Sequence, residues 1–116
     1  MPEQNCLFCK IAAGEIPAQL VREDEHTVAF RDINPQAPTH LLVIPRRHIA
    51  SLADAAGSDE QVLGRVLLAA AEVARAEGLT SGGYRTVFNT GAGAGQSVFH
   101  VHAHVLGGRP LSWPPV

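Results

Sequence analysis

Cysteine, aromatic side chains and positive charge are all scarce in this 116-residue chain, which has two cysteines, one tryptophan and one tyrosine. A chain of this length buries a core without disulfide staples, so a framework of cross-links is neither available nor needed. Nine Lys and Arg stand against eleven Asp and Glu, for a formal net charge of -2. Only Arg46 and Arg47 are adjacent, which argues against the basic stripe of a protein that grips nucleic-acid polymers. No apolar run approaches the roughly 18 to 20 residues of a membrane-spanning helix. The opening "MPEQNCLFCK" has neither the charged nor the apolar region of a secretion signal. With 46% hydrophobic and 17% charged residues, the expectation is a globular cytoplasmic protein without a membrane partner. One domain over 1–116, with no internal repeat, is expected.

The residues that are present divide into short, well-punctuated segments. Leu7, Phe8 and Ile11 at helical spacing, with Gly14 as a stop, predict one short helix. Two apolar runs over 18–24 and 26–32, joined through Glu23, Asp24 and Glu25, read as a hairpin. Pro35 and Pro38 make the following stretch a loop, since each removes a backbone donor and fixes φ. A third strand is expected over 40–45. The clearest helix runs over 58–78, where Ser58 and Gln61 form a capping-box pattern. Val62, Val66, Ala69, Val73 and Ala76 repeat at helical spacing, Leu63, Leu67 and Ala70 widen the apolar face, and Gly78 supplies the stop. Two more strands are expected over 83–90 and 97–106, with a proline-rich tail on the surface or against a partner. The fold class is therefore α+β, a five-stranded antiparallel sheet with one long and one short helix mainly on one face.

Half of the six histidines fall in "HVHAHVL", at His100, His102 and His104. On a strand these three share one face with Val98 and Leu106, while Phe99, Val101, Ala103 and Val105 form a plain core stripe on the other. Burying three imidazoles in a row is unfavourable unless each finds a partner. All three cannot hold one ion, because His100 and His104 lie roughly 13 Å apart along a strand while ligands sit about 2 Å from a metal. The row must divide its work. Imidazole suits phosphoryl chemistry, being nucleophilic when unprotonated and orientable through its second nitrogen.

Two other stretches bear on chemistry. "GAGAG" after a strand suggests a dinucleotide fingerprint, but that motif must open a helix and here a histidine-rich strand follows. Its small residues still let backbone N–H groups approach an anion. Cys6 and Cys9 form C-x-x-C, which reads as half a metal site, a redox pair or two inert thiols.

Taken together, "LFCKIAAGEIPA", "FRDINPQAPTHLLVIPRRHI", "GQSVFHVHAHVLGGRP" and the closing "WPP" resemble the histidine triad (HIT) family over nearly the whole chain. The likeness is to its Hint branch, the purine nucleoside phosphoramidate hydrolases. It implies a homodimer in which two sheets join into one, with a nucleotide site in each subunit. His102 matches the nucleophile that forms a nucleotidyl-histidine. His104 matches the histidine at the phosphate and leaving group, and His40 one that completes a proton relay with the triad, including His100. Asp32 matches the carboxylate on the ribose hydroxyls, and Phe8, Ile11, Phe30, Ile33 and Leu42 match the lining of the purine pocket. Asn89, Gly95 and Ser97 match polar contacts to the phosphate. Strict alternation would put Ser97 on the face opposite His102, so it serves the phosphate only if the strand begins after it.

The resemblance also implies a structural zinc held by Cys6, Cys9, His48 and His100, with no organic cofactor. The implied activity is hydrolysis of the P–N bond of purine nucleoside 5'-phosphoramidates, releasing a nucleoside monophosphate and an amine. Hydrolysis of dinucleoside polyphosphates, nucleotidyl transfer, and a non-catalytic role in binding nucleotide or zinc are the alternatives.

Overall fold

The computed structural model describes residues 5–116. Its first element is a six-residue helix, α1 (Leu7–Ala12), which buries Phe8, Cys9 and Ile11. The Cys6 Sγ accepts the Cys9 N–H at 3.2 Å, satisfying one of the donors that every helix start leaves orphaned. The expected hairpin follows as β1 (Leu20–Glu23) and β2 (Thr27–Arg31). Asp24 shapes its turn by accepting the N–H groups of His26 and Thr27 at 2.8 and 2.7 Å. Next come β3 (Thr39–Pro45), the long helix α2 (Glu60–Ala76), β4 (Tyr84–Val87) and β5 (Ala103–Gly107). All neighbours pair antiparallel in the order β1-β2-β3-β5-β4. Among the described residues no helix is long and apolar enough to cross a membrane.

The central strand β3 is apolar on both faces, so the sheet requires cover twice. Leu41 and Val43, with Ala29, Ala103 and Val105, meet Val66, Ala69, Ala70, Val73 and Ala74 of α2. Leu42 and Ile44, with Val28 and Phe30, meet Phe8, Cys9 and Ile11 of α1. The two helices therefore lie on opposite faces, not mainly on one. On α2 the buried stripe is narrower than the spacing suggests, since Leu67 and Ala76 are exposed. The helix also begins later than Ser58. A short 3-10 turn (Gly57–Asp59) leads into it, and the Asp59 carboxylate, not Ser58, takes the Ala56 N–H at 2.9 Å and pairs with Arg47.

The largest departure concerns the last strand. Pairing with β3 runs from Thr39↔Gly107 to Val43↔Ala103 and stops there, so 97–102 is not strand. Beyond it the chain changes partner to the segment after β3: the Val101 N–H is donated to the Ile49 carbonyl at 2.6 Å. Alternation breaks with the strand, which leaves Phe99 half-exposed outside the core stripe while Val101, Ala103 and Val105 stay buried. At the other end Gly108 has φ of 94°, and a Cβ there would fall 2.9 Å from the Pro38 Cβ. Only glycine fits both the left-handed backbone and that approach. The tail docks on its own chain, with the Ser112 carbonyl accepting from Arg85 at 2.8 Å and the Arg85 guanidinium 5.9 Å from the Trp113 ring centre.

Leu41 has no exposed surface and faces α2 from the middle strand. Leu41→Ala should lower the unfolding free energy by about 3 kcal/mol in urea titration, the usual scale for a buried leucine cavity. A loss under about 1 kcal/mol, within reach of a surface substitution, would contradict this packing.

Candidate functional site

The end of β3, the start of α1 and the bent approach to β5 meet at four side chains. Cys6 Sγ lies 3.2 Å from His100 Nδ1, Cys9 Sγ 3.3 Å from His48 Nδ1 and 3.4 Å from His100 Nδ1, and the two Nδ1 atoms are 3.3 Å apart. All four donor atoms fall within 4.8 Å of one another. Donors about 2.0 to 2.3 Å from a tetrahedral ion stand about 3.3 to 3.8 Å apart, so this quartet has nearly that spacing. The His100 Nε2 lies 2.8 Å from the Pro45 carbonyl. A carbonyl only accepts, so Nε2 carries the proton and Nδ1 turns its lone pair toward the thiols. Two thiols and two imidazoles converging in this way suit zinc.

Asp32, His40 and His104 also bring their polar atoms within 4.8 Å, but the tautomers there describe a relay. The Gln36 N–H is donated to His40 Nδ1 at 3.0 Å. The His40 proton is therefore on Nε2, which lies 2.9 Å from His104 Nδ1 and 3.4 Å from Asp32 Oδ2. His104 accepts on Nδ1 and keeps its own proton on Nε2. His102 is set the opposite way, because its Nδ1 faces the His100 carbonyl at 2.8 Å and must donate. That leaves the His102 Nε2 with a free lone pair. The two rings stand 4.9 Å apart, one presenting a nucleophilic nitrogen and the other a proton donor.

Around them lies an apolar wall. Phe8 meets the His102 ring edge-on at 5.0 Å and Phe30 at 5.4 Å, Leu42 pairs with His104 across the sheet, and Ile11 belongs to the same buried cluster. Ile33 does not join it and is fully exposed. Asp32 performs two tasks, since its Oδ1 accepts the Asn34 N–H at 2.8 Å while Oδ2 faces His40. The Asn89 amide nitrogen is 3.9 Å from where a Gly95 Cβ would sit. Ser97 precedes β5, which removes the objection from strand alternation. The Gly95 N–H, however, is donated to the Ala92 carbonyl at 3.0 Å and is not free for a ligand.

Sequence spacing missed the groups that hold these side chains in place. The Gln36 amide and the Pro45 carbonyl act through the main chain, which leaves no side-chain signature. Arg46, noted only for its charge, ties three segments together: it donates to the Asp24 and Ala12 carbonyls, each at 2.8 Å, and pairs with Glu23 at 3.2 Å.

Burial dominates the electrostatics. It pushes His100 and His104 down to about 4, in His104 with help from the neighbouring His102 and His40. Burial also lowers His40 and His102, although Asp32 opposes the shift in both, and it raises the Cys6 thiol. The unfolded chain, with histidines near 6.5, binds more protons than the folded one between that value and about 4. Stability from this source is therefore lost as pH falls through the window and is unaffected above it. His104→Gln should show a smaller drop in Tm than the native protein between about pH 7 and 4.5. Equal drops would mean that His104 titrates normally in the fold.

Residues 13–111 match the HIT domain family. The chain is 56% identical over 103 residues to Protein HitA of Neisseria gonorrhoeae, covering 89% of this chain and 95% of that relative. It is 47% identical over 108 residues to purine nucleoside phosphoramidase of Escherichia coli K12, covering 93% and 91%. The crystal structure of a HIT family hydrolase from Legionella pneumophila Philadelphia 1 superposes with a TM-score of 0.94 at 57% identity, over 97% of this chain and 100% of that one. Sequence and fold agree along nearly the full length, and this protein belongs to the HIT domain family.

Proposed function

We propose that the protein is a nucleotide hydrolase that cleaves the P–N bond of purine nucleoside 5'-phosphoramidates. The observation that carries this is the opposed protonation of two neighbouring imidazoles, a free lone pair on His102 Nε2 beside a proton on His104 Nε2. Support also comes from the relative of 47% identity named as a purine nucleoside phosphoramidase. The base lies against Phe8, Ile11, Phe30 and Leu42, with Ile33 at the open rim, and the Asp32 carboxylate accepts from the ribose hydroxyls. Asn89 and Ser97 hold the phosphate.

The anionic substrate draws a proton onto the His104–His40 pair, and Asp32 balances the added charge. His102 Nε2 attacks the α-phosphorus as the P–N bond breaks, and His104 gives that proton to the departing amine. The His102 ring becomes cationic in the nucleotidyl intermediate, which strengthens the hydrogen bond from its Nδ1 to the His100 carbonyl. Water then breaks the P–Nε2 bond and returns a proton to His104, releasing the nucleoside monophosphate. His102→Ala should abolish turnover of an adenosine phosphoramidate with a fluorescent amine while AMP still binds. Substantial residual turnover would exclude His102 as the nucleophile.

Cys6, Cys9, His48 and His100 would hold a zinc ion, which would supply a structural cross-link and no chemistry on the substrate. The protein is also proposed to be a homodimer joined through β4. Of the two sheet edges, β1 is interrupted by an irregular register between Leu20 and Arg22, whereas β4 pairs regularly and only with β5. A regular unpaired edge is the one suited to pairing with a second copy. Native mass spectrometry reads both features, with a dimer carrying one zinc per chain expected and the metal lost in Cys9→Ser. A monomer would reject the dimer, and a metal-free mass after growth with added zinc would reject the zinc site.

A further inference from the structure

The loop between β4 and the histidine row contains the run GAGAG over 91–95, and such a stretch is entropically unfavourable to hold in one shape. One buried side chain holds it. Gln96 is 3% exposed, and its Oε1 accepts the Gly91 N–H at 2.8 Å. Its Nε2 donates to the Ala50 carbonyl at 2.8 Å and the Val98 carbonyl at 3.1 Å. A donor on one side and two carbonyls on the other leave a single orientation for the amide. The main chain closes the same ring, with the N–H groups of Ala94 and Gln96 both donated to the Gly91 carbonyl at 3.1 Å.

These bonds decide which amides remain for a ligand. Those of Gly91, Ala94, Gly95 and Gln96 are consumed inside the loop. Ser97, the next residue, is exposed and lies within the short ring that the Gln96 side chain closes onto the Val98 carbonyl. The other anchor, Ala50, is two residues from His48, on the same strip that receives the His100 ring and the Val101 N–H. The phosphate loop and the histidine row are therefore referenced to one piece of backbone.

We infer that Gln96 is a positioning residue, which fixes the glycine loop against the 45–51 strip and so presents the Ser97 N–H and hydroxyl as the donors to the phosphate. The inference rests on the phosphoramidate function proposed above for the substrate but not for the geometry. A glutamine that merely fills space would support stability alone. One that aims a donor at developing charge supports the transition state more than the ground state.

Gln96→Glu is nearly isosteric and sets a carboxylate against two carbonyls. It should lower kcat for an adenosine phosphoramidate by about tenfold to a hundredfold with KM changed by less than about threefold, as expected for a misplaced transition-state donor. In the native protein the Ser97 amide resonance should move on addition of AMP, and in the variant it should not. A buried carboxylate can prevent folding, so Gln96→Met, which keeps the length without the charge, should show the same kcat loss while remaining folded by circular dichroism. If the folded Gln96→Met protein keeps its kcat and its AMP-dependent Ser97 shift, with only Tm lowered, the inference is overturned. A native Ser97 amide that ignores AMP overturns it as well, even with normal turnover. If the native protein hydrolyses no phosphoramidate yet the Ser97 shift is present and lost in both variants, the proposed activity fails and the role of Gln96 stands.

Discussion

The hydrogen bond from the His102 Nδ1 to the His100 carbonyl spans two residues, and the arrangement of the site depends on it. A neutral imidazole has one proton to place, and this acceptor draws it away from the nitrogen that faces the opening. The acceptor is itself held, because the His100 ring is anchored at both nitrogens, one on Pro45 and one among the cysteines. Burial then keeps the proton count low, so the ring meets its substrate uncharged.

Had the strand continued back to Ser97, the three imidazoles would stand in line with equivalent surroundings. It begins instead at Ala103, and the row is divided between two kinds of environment. His104 stays in the sheet beside Leu42 and reaches His40. His100 leaves the sheet and joins Cys6, 94 positions away in sequence, together with Cys9 and His48. The separation of duties that the 13 Å spacing argument demands is achieved by ending a β-ladder.

Much of this was legible in the sequence, and the rest was hidden for identifiable reasons. Leu7, Phe8 and Ile11 gave away α1, and the unbroken apolar runs through Val28–Phe30 and Leu41–Ile44 gave away the central strands. The spacing of Cys6 and Cys9 left half a metal site among three readings, the family likeness added His48 and His100, and the four donor atoms do converge. The start of β5 was hidden because Val98, Phe99 and Val101 have strand-like composition, while the Val101 N–H goes to the Ile49 carbonyl in a loop and not to a strand. Ser58 has the right chemistry for a helix cap, yet it falls inside the 3-10 turn Gly57–Asp59, whose Asp59 carboxylate turns back to the Ala56 N–H. The two-faced cover of the sheet was missed because a six-residue helix looks too short to shield anything. Gln96 carried no signal at all, since a buried amide and an exposed one read alike as letters.

The cysteine–histidine quartet also orders events in time. Cys6 and Cys9 precede His100 by 94 and 91 residues, so the site cannot close until that whole stretch has emerged from the ribosome. Until then the thiols and the apolar side of β2 and β3 wait without their cover, and α1 is too short to persist alone. Closure of the quartet is thus a long-range event in biogenesis, and it marks a chain in which the segment around His100 has already found its place.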